Sequence, residues 1–204
     1  MTAPQTRLPQ TILTMAGAPL TPSALDSAAL VLIDLQREYT DGALPLVGVE
    51  AATAEAAALL TLAREHGVPV IHVVHHGKPG GPIFNPDGPF VAILPAVAPL
   101  DGEAIIVKAK ANSFTGTTLE EVARATGRTD LIIAGFMTHN CVSSTVRGAN
   151  DRGWRVTVVS AATATRDLPD GQGGIVTAAE LQRGVLTGLS DTLAIVVKDA
   201  GAWG

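Results

Sequence analysis

The sequence predicts an α/β protein built on an open, mostly parallel sheet, and three observations carry that reading. Short, unbroken apolar runs rich in Val, Ile and Leu recur along the chain, bounded by Gly, Pro or polar residues. Strands of that kind are covered on both faces, as in a buried parallel sheet. Between several of them lie longer stretches whose apolar residues return every three or four positions, the period of a helix with one buried face. The two kinds of segment alternate in βαβ fashion, and no internal repeat, heptad or low-complexity tract interrupts them.

Residues 1–27 read as an irregular N-terminal arm: Pro4, Pro9, Pro19 and Pro22 break it up, and Arg7 is its one basic residue. It lacks the charged region followed by an apolar core that marks a signal peptide. Residues 28–204 read as a single domain, in keeping with a length of 204 residues at ~150 residues per domain. Strands are expected at Ala28–Ile33, Val68–Val74, Ala104–Val107, Leu131–Ala134, Val156–Val159 and Leu193–Val197. The first helix spans Gly48 to His66, with Ala52, Ala56, Leu59, Leu60 and Ala63 on one face and Gly67 placed to close it. A second covers Thr117–Thr126, with Glu120 and Glu121 in its first turns, where they suit the helix dipole. A third runs from Cys141 to Arg152 with Val142, Thr145, Val146 and Ala149 along one stripe, and a fourth from Thr177 to Leu186. The Pro- and Gly-rich segment 75–103 is long for a compact domain and is expected to form a wall or lid over a site.

Nineteen acidic side chains against fourteen basic ones give a net charge of −5, which offers no footprint for nucleic acid or an anionic membrane. The hydrophobic fraction is 47% and the mean hydropathy +0.31. The apolar runs Ala28–Ile33 and Leu131–Met137 nevertheless fall far short of the ~20 residues that span a bilayer. The single cysteine cannot form an internal disulfide, which favours a reducing, cytoplasmic setting.

Ligands of open α/β sheets bind beyond the carboxyl ends of the strands. There the sequence puts an acid, Asp34, after the first strand and an ammonium, Lys108, after the third. A thiol, Cys141, follows the fourth strand at the start of a helix. Singly, each has an ordinary reading: a loop acid, a solvated strand end, a buried filler. Together they make a nucleophilic site. A helix N-terminus and a neighbouring Lys lower a thiol pKa from about 8.5 into the range of about 3.5–7.5, and a nearby carboxylate can carry its proton.

The run Gly135-Phe136-Met137-Thr138-His139-Asn140-Cys141-Val142, continuing through Ser144-Thr145-Val146-Arg147, resembles the signature of the isochorismatase-like cysteine hydrolases. Asp34-Leu35-Gln36 resembles that family's first motif, and Lys108 with Asn112-Ser113-Phe114 and Gly116-Thr117 its second. The stretches Val156–Val159 and Ala161-Ala162-Thr163 fit as well, so the similarity runs from about Ala28 onward.

The resemblance implies a three-layer α/β/α fold with a six-stranded, mostly parallel central sheet and an Asp–Lys–Cys triad. Cys141 would be the nucleophile, Asp34 the general base and acid, and Lys108 the charge that stabilises the thiolate. A cis peptide would join Phe136 to Met137, and the backbone N–H groups of Met137 and Cys141 would form the oxyanion hole. The expected reaction is hydrolysis of a C–N bond in a small amide or ureide through a Cys thioester. The alternatives are vinyl-ether cleavage, as in isochorismatases proper, or a binding module that keeps the fold without turnover. The resemblance also implies a homo-oligomer, dimer or tetramer.

Nicotinamidases of the same family hold a metal with an Asp and a His two residues later, but here Gly42 and Ala43 follow Asp41. His75 and His76 are adjacent on a strand and point opposite ways. Neither a metal nor an organic cofactor is therefore expected. The glycine-rich runs Gly77–Gly81 and Gly171–Gly174 lack the context of a phosphate cradle and read as loops. Tyr39, His75 and Phe114 are the residues expected to bind substrate, with Phe84 and Phe90 as a possible apolar lid, and Trp154, Trp203, His66 and His72 as structural or surface residues.

Overall fold

The computed structural model describes residues 8–204, so the first seven residues of the expected N-terminal arm lie outside the described residues. The rest of that arm contains one helical turn, α1 (Ile12–Met15), capped by the Thr11 side chain. The chain then runs β1 (Ala28–Ile33), α2 (Val49–Glu65), β2 (Val70–His75), β3 (Ala104–Lys108), α3 (Leu119–Ala125) and β4 (Asp130–Phe136). It continues through a π-helical turn (Thr138–Val142) into α4 (Ser143–Asn150), then β5 (Arg155–Ala164), β6 (Leu168–Pro169), β7 (Ile175–Val176), α5 (Ala178–Thr192) and β8 (Ile195–Val197).

The central sheet has six strands in the order β3-β2-β1-β4-β5-β8, and every pairing in it is parallel. All six residues of β1 are buried, and because side chains alternate across a strand they feed two cores. Ala28, Leu30 and Leu32 pack with the α2 face of Ala52, Ala56, Leu59, Leu60 and Ala63. Ala29, Val31 and Ile33 pack with Leu119 and Ala123 of α3, Val146 and Ala149 of α4 and Leu189 of α5. The result is three layers, with α2 on one side of the sheet and α3, α4 and α5 on the other. Among the described residues no helix is long and apolar enough to cross a membrane.

The expected elements are all present, with some ends displaced. The strand expected to stop at Val159 continues to Ala164, past a register irregularity opposite Ile133–Gly135. The fourth helix extends to Thr192, since Leu189 is still fully buried against the sheet. It begins with a capping box in which Thr177 and Glu180 satisfy each other's backbone N–H groups. Gly171–Gly174 form the turn of a small antiparallel ribbon, β6–β7, where the Asp170 carboxylate accepts from the Gln172 and Gly174 N–H groups.

Candidate active site

The sheet order reverses between β1 and β4, which opens the crevice where an α/β fold gathers its ligand groups. Asp34 follows β1 directly. Its φ of +50° lies in the left-handed region, which Asp tolerates better than most residues, and its N–H donates to Val73 O at 2.8 Å. Gly135 of β4 braces the turn from the other side. Its φ is +121°, and a Cβ there would lie 2.0 Å from Ile33 O. Only glycine lets β4 run that close to the residue before Asp34.

Lys108 ends β3, two strands away from β1, or about 10 Å at ~4.8 Å per strand. Its side chain crosses the end of β2 fully buried. The ammonium Nζ stands 2.6 Å from Asp34 Oδ2, 3.0 Å from His75 Nδ1 and 3.3 Å from Cys141 Sγ. Ammonium only donates, so His75 accepts through Nδ1, and that choice leaves its ring proton on Nε2. Neither oxygen of Asp34 has a partner of hydrogen-bond geometry among the described residues. Its contact with Lys108 is an ion pair, and carboxylate lone pairs remain open to a proton. Cys141 sits inside the π-helical turn that follows β4, itself buried. The Phe136–Met137 peptide is cis.

Burial pushes the Asp34 carboxyl up to about 6, against the pull of the Lys108 ammonium. Burial first, and the Asp34 charge second, push the Cys141 thiol up to about 12 over the opposing effect of Lys108. Burial, followed by Lys108 and His76, lowers His75 to about 4, which keeps its ring neutral. The thiol at rest is therefore protonated, and the lowered pKa expected from the sequence is not found. Cys141 does lie near the start of the continuous helical segment that begins at Thr138 and runs into α4, but burial outweighs both that position and the ammonium. Donor atoms of Asp34, His75 and Cys141 lie within 4.8 Å of one another, a spacing that suits a cation. The ammonium of Lys108 reaches all three.

His75 and Cys141 open onto a cavity of about 210 Å³, with Asp34 and Lys108 fully buried behind them, a volume below the roughly 300–1,000 Å³ of pockets for drug-sized ligands. Tyr39, Phe84, Leu44, Ile83 and Met137 give it apolar walls, while His75, Asn140, Cys141 and Arg166 supply its polar side. The Phe84 ring meets Tyr39 edge-on at 5.3 Å and His75 at 4.9 Å. The 75–103 segment thus forms a wall, and two buried side chains hold it. Glu38 accepts from Phe84 N–H at 2.8 Å and from Ala43 N–H at 2.7 Å. Gln36 accepts from His75 N–H at 2.8 Å and donates to Val91 O at 2.7 Å.

Of the residues expected to bind substrate, Tyr39 and His75 line the cavity and Phe114 does not. Phe114 packs in the opposite core with Ile106, Leu119 and Val142, beneath the Arg152 guanidinium at 4.8 Å. Phe84 lines the cavity, whereas Phe90 stands outside it beside Arg37. Trp154 is a buried core residue, and Trp203 donates its indole N–H to Ser23 O. His72 pairs with Glu103 away from the cavity. Asn140, Glu38 and Arg166 were not foreseen. Arg166 follows the carboxyl end of β5 by two residues, and a strand read to its full length would have singled it out.

A sequence profile described as the isochorismatase domain matches residues 28–189. The secreted isochorismatase effector Isc1 of Verticillium dahliae is 33% identical over 183 residues, 90% of this chain and 94% of that protein. Maleamate amidohydrolase of Pseudomonas putida is 34% identical over 147 residues, 64% of this chain and 69% of that protein. The crystal structure of an isochorismatase from Pseudomonas putida is similar with a TM-score of 0.90 and 41% identity, over 95% of this chain and 99% of that one. Profile, relatives and fold agree, and the chain belongs to the isochorismatase family of hydrolases.

Proposed function

We propose that the protein hydrolyses the C–N bond of a small amide or ureide through a thioester on Cys141. The observation that carries this reading is the single ammonium of Lys108 held against both Asp34 and Cys141 at the base of a small cavity. In the proposed cycle the Cys141 thiol passes its proton to Asp34 as sulfur attacks the substrate carbonyl. The N–H groups of Met137 and Cys141 receive the oxyanion, and Lys108 offsets the negative charge moving between sulfur and carboxylate. Protonated Asp34 then gives its proton to the departing amine or ammonia as the C–N bond breaks. A water attacks the thioester, Asp34 takes its proton, and the acid product leaves as the thiol is restored.

A thiol protonated at rest is consistent with this sequence, because its proton leaves only when the carbonyl accepts the sulfur. The similarity to a maleamate amidohydrolase supports acyl chemistry. Vinyl-ether cleavage has no use for a thiol nucleophile, so a buried Cys141 paired with Lys108 weighs against it. Tyr39 and His75 are the proposed substrate contacts, with no metal or organic cofactor in the cycle. The lone thiol supports a reducing, cytoplasmic setting, and the family resemblance supports a homo-oligomer.

The test is a panel of amides, ureides and isochorismate, assayed for release of ammonia or pyruvate by wild type and Cys141→Ala. Ammonia release that disappears in Cys141→Ala is the expected result. Pyruvate release from isochorismate, or turnover that survives stoichiometric alkylation of Cys141 by iodoacetamide, overturns the proposal.

A further inference from the structure

The buried ammonium of Lys108 meets a single nitrogen or oxygen acceptor with hydrogen-bond geometry among the described residues: His75 Nδ1, at 3.0 Å. The 2.6 Å contact with Asp34 Oδ2 is an ion pair without that geometry, and the Cys141 sulfur, at 3.3 Å, is a weak acceptor. Coulomb attraction depends on distance and has little direction, whereas a hydrogen bond also fixes an angle. Asp34 alone would draw the ammonium toward β1 without holding it against the thiol.

Three features put His75 in place for this task. It is the register partner of Lys108 across the parallel β2–β3 pair, so both side chains leave the same face of the sheet and the lysine stem passes the imidazole on its way to Asp34. The Gln36 carboxamide pins the His75 backbone from both sides, accepting from its N–H at 2.8 Å and donating to its C=O at 3.1 Å. The Phe84 ring stands 4.9 Å from the imidazole at 60° and limits its rotation. The imidazole is also the neighbour whose charge stays constant through the proposed cycle. Asp34 gains and loses a proton and the sulfur turns from thiol to thioester, so both change their hold on Lys108 from step to step.

We propose that His75 is a positioning residue that acts through Lys108: its Nδ1 anchors the ammonium in the one direction that keeps it against Asp34 and Cys141 together while those two exchange a proton. This deepens the amidohydrolase reading and rests on it for the proton exchange, although the anchoring itself needs no substrate. The other ring nitrogen, Nε2, is left for the substrate contact proposed above.

The experiment compares His75→Phe, which keeps a ring and removes both nitrogens, with His75→Asn, whose Oδ1 can stand where Nδ1 stood. Neither variant keeps a donor at the place of Nε2, so a lost substrate contact is common to both and their difference reports on Nδ1. In ammonia release, kcat should fall about 100-fold in His75→Phe. His75→Asn should recover about tenfold or more of that loss, with KM similar in the two variants. The ammonium is read separately, without substrate, by heteronuclear NMR on protein carrying isotope-labelled lysine. Lys108 is buried while Lys78, Lys110 and Lys198 are exposed, so its slowly exchanging side-chain signal should stand alone at neutral pH. Its exchange with water should be about tenfold or more faster in His75→Phe than in wild type or His75→Asn. The lysine backbone amide signals report the fold, and His75→Leu replaces His75→Phe if they collapse. Equal kcat in the two variants, or Lys108 exchange unchanged in His75→Phe, overturns the anchoring role. The expected exchange pattern without ammonia release from any compound refutes the acyl chemistry and leaves the anchor standing. Ammonia release indifferent to both substitutions does the reverse.

Discussion

Replacing Lys108 by Met removes one charge and keeps a side chain of similar length, so its effect on the buried acid can be worked from the geometry. The ammonium is 2.6 Å from Asp34 Oδ2, and two such charges attract by ~6 kcal/mol at an effective dielectric of ~20. Measured shifts from an adjoining opposite charge are about 1–3 units. Without Lys108, Asp34 should move from about 6 to about 7–9. A carboxyl whose folded pKa is raised contributes stability that is present below its ordinary value of 3.8 and lost as pH rises through the folded value. In wild type that loss is largely complete by about pH 6.5. In Lys108→Met the folded protein still holds the proton there and the unfolded chain does not, so stability falls by up to ~1.4 kcal/mol per pH unit. Urea unfolding of both proteins between about pH 6.5 and 8 isolates this effect. His75 is lowered from 6.5 to about 4 and titrates below that window, while Cys141, with an ordinary value of 9.0, titrates above it. The stability gap should widen by about 1–2 kcal/mol across the window. A gap that stays constant, or narrows, refutes the assignment of Asp34 as an acid held down by Lys108.

In the proposed cycle Asp34 must be ionised to accept the thiol proton, so the pH profile of kcat/KM should have an acid limb near 6. Activity should fall about tenfold per unit below it, and a flat profile down to about pH 5 would rule out Asp34 as the base. Gly135→Ala places a Cβ 2.0 Å from Ile33 O at a φ of +121°, and should lower urea-unfolding stability by about 3 kcal/mol or more. A loss under ~1 kcal/mol would show that β4 can yield. Glu38→Gln should weaken the charge-assisted hydrogen bonds to Phe84 and Ala43 N–H. The expected results are a KM raised several-fold and faster proteolysis within residues 76–103. Unchanged KM and proteolysis would free the wall from Glu38.

The central strands were legible because burial on both faces writes itself as uninterrupted apolar sequence. Ala28–Ile33 has the same limits in the sequence as in the structure. β5 was not, because its far half passes through half-buried Ser160 and exposed Ala161, where the apolar run lapses but the parallel pairing resumes at Thr163 and Ala164. That lapse also concealed Arg166. Asp34, Lys108 and Cys141 could be placed at one edge because each follows a strand, a one-dimensional property. The burial that raises the thiol pKa is a property of the packed site, invisible in a motif. Phe114 illustrates the same limit: a few residues beyond Lys108 the chain has already turned toward the α3–α4 face, and sequence distance does not reveal which way a loop turns.

The clamp made by Gln36 and Glu38 has a consequence for how this scaffold can change. The proposed chemistry stands on the ends of β1, β3 and β4, while the shape of the chamber comes from Leu44, Ile83, Phe84 and Arg166 on loops. Two side chains beside Asp34 tie those loops to the reactive centre. The wall can therefore be rewritten residue by residue without moving Cys141, provided Gln36 and Glu38 stay. Divergence to new substrates is open at the wall and closed at its two anchors.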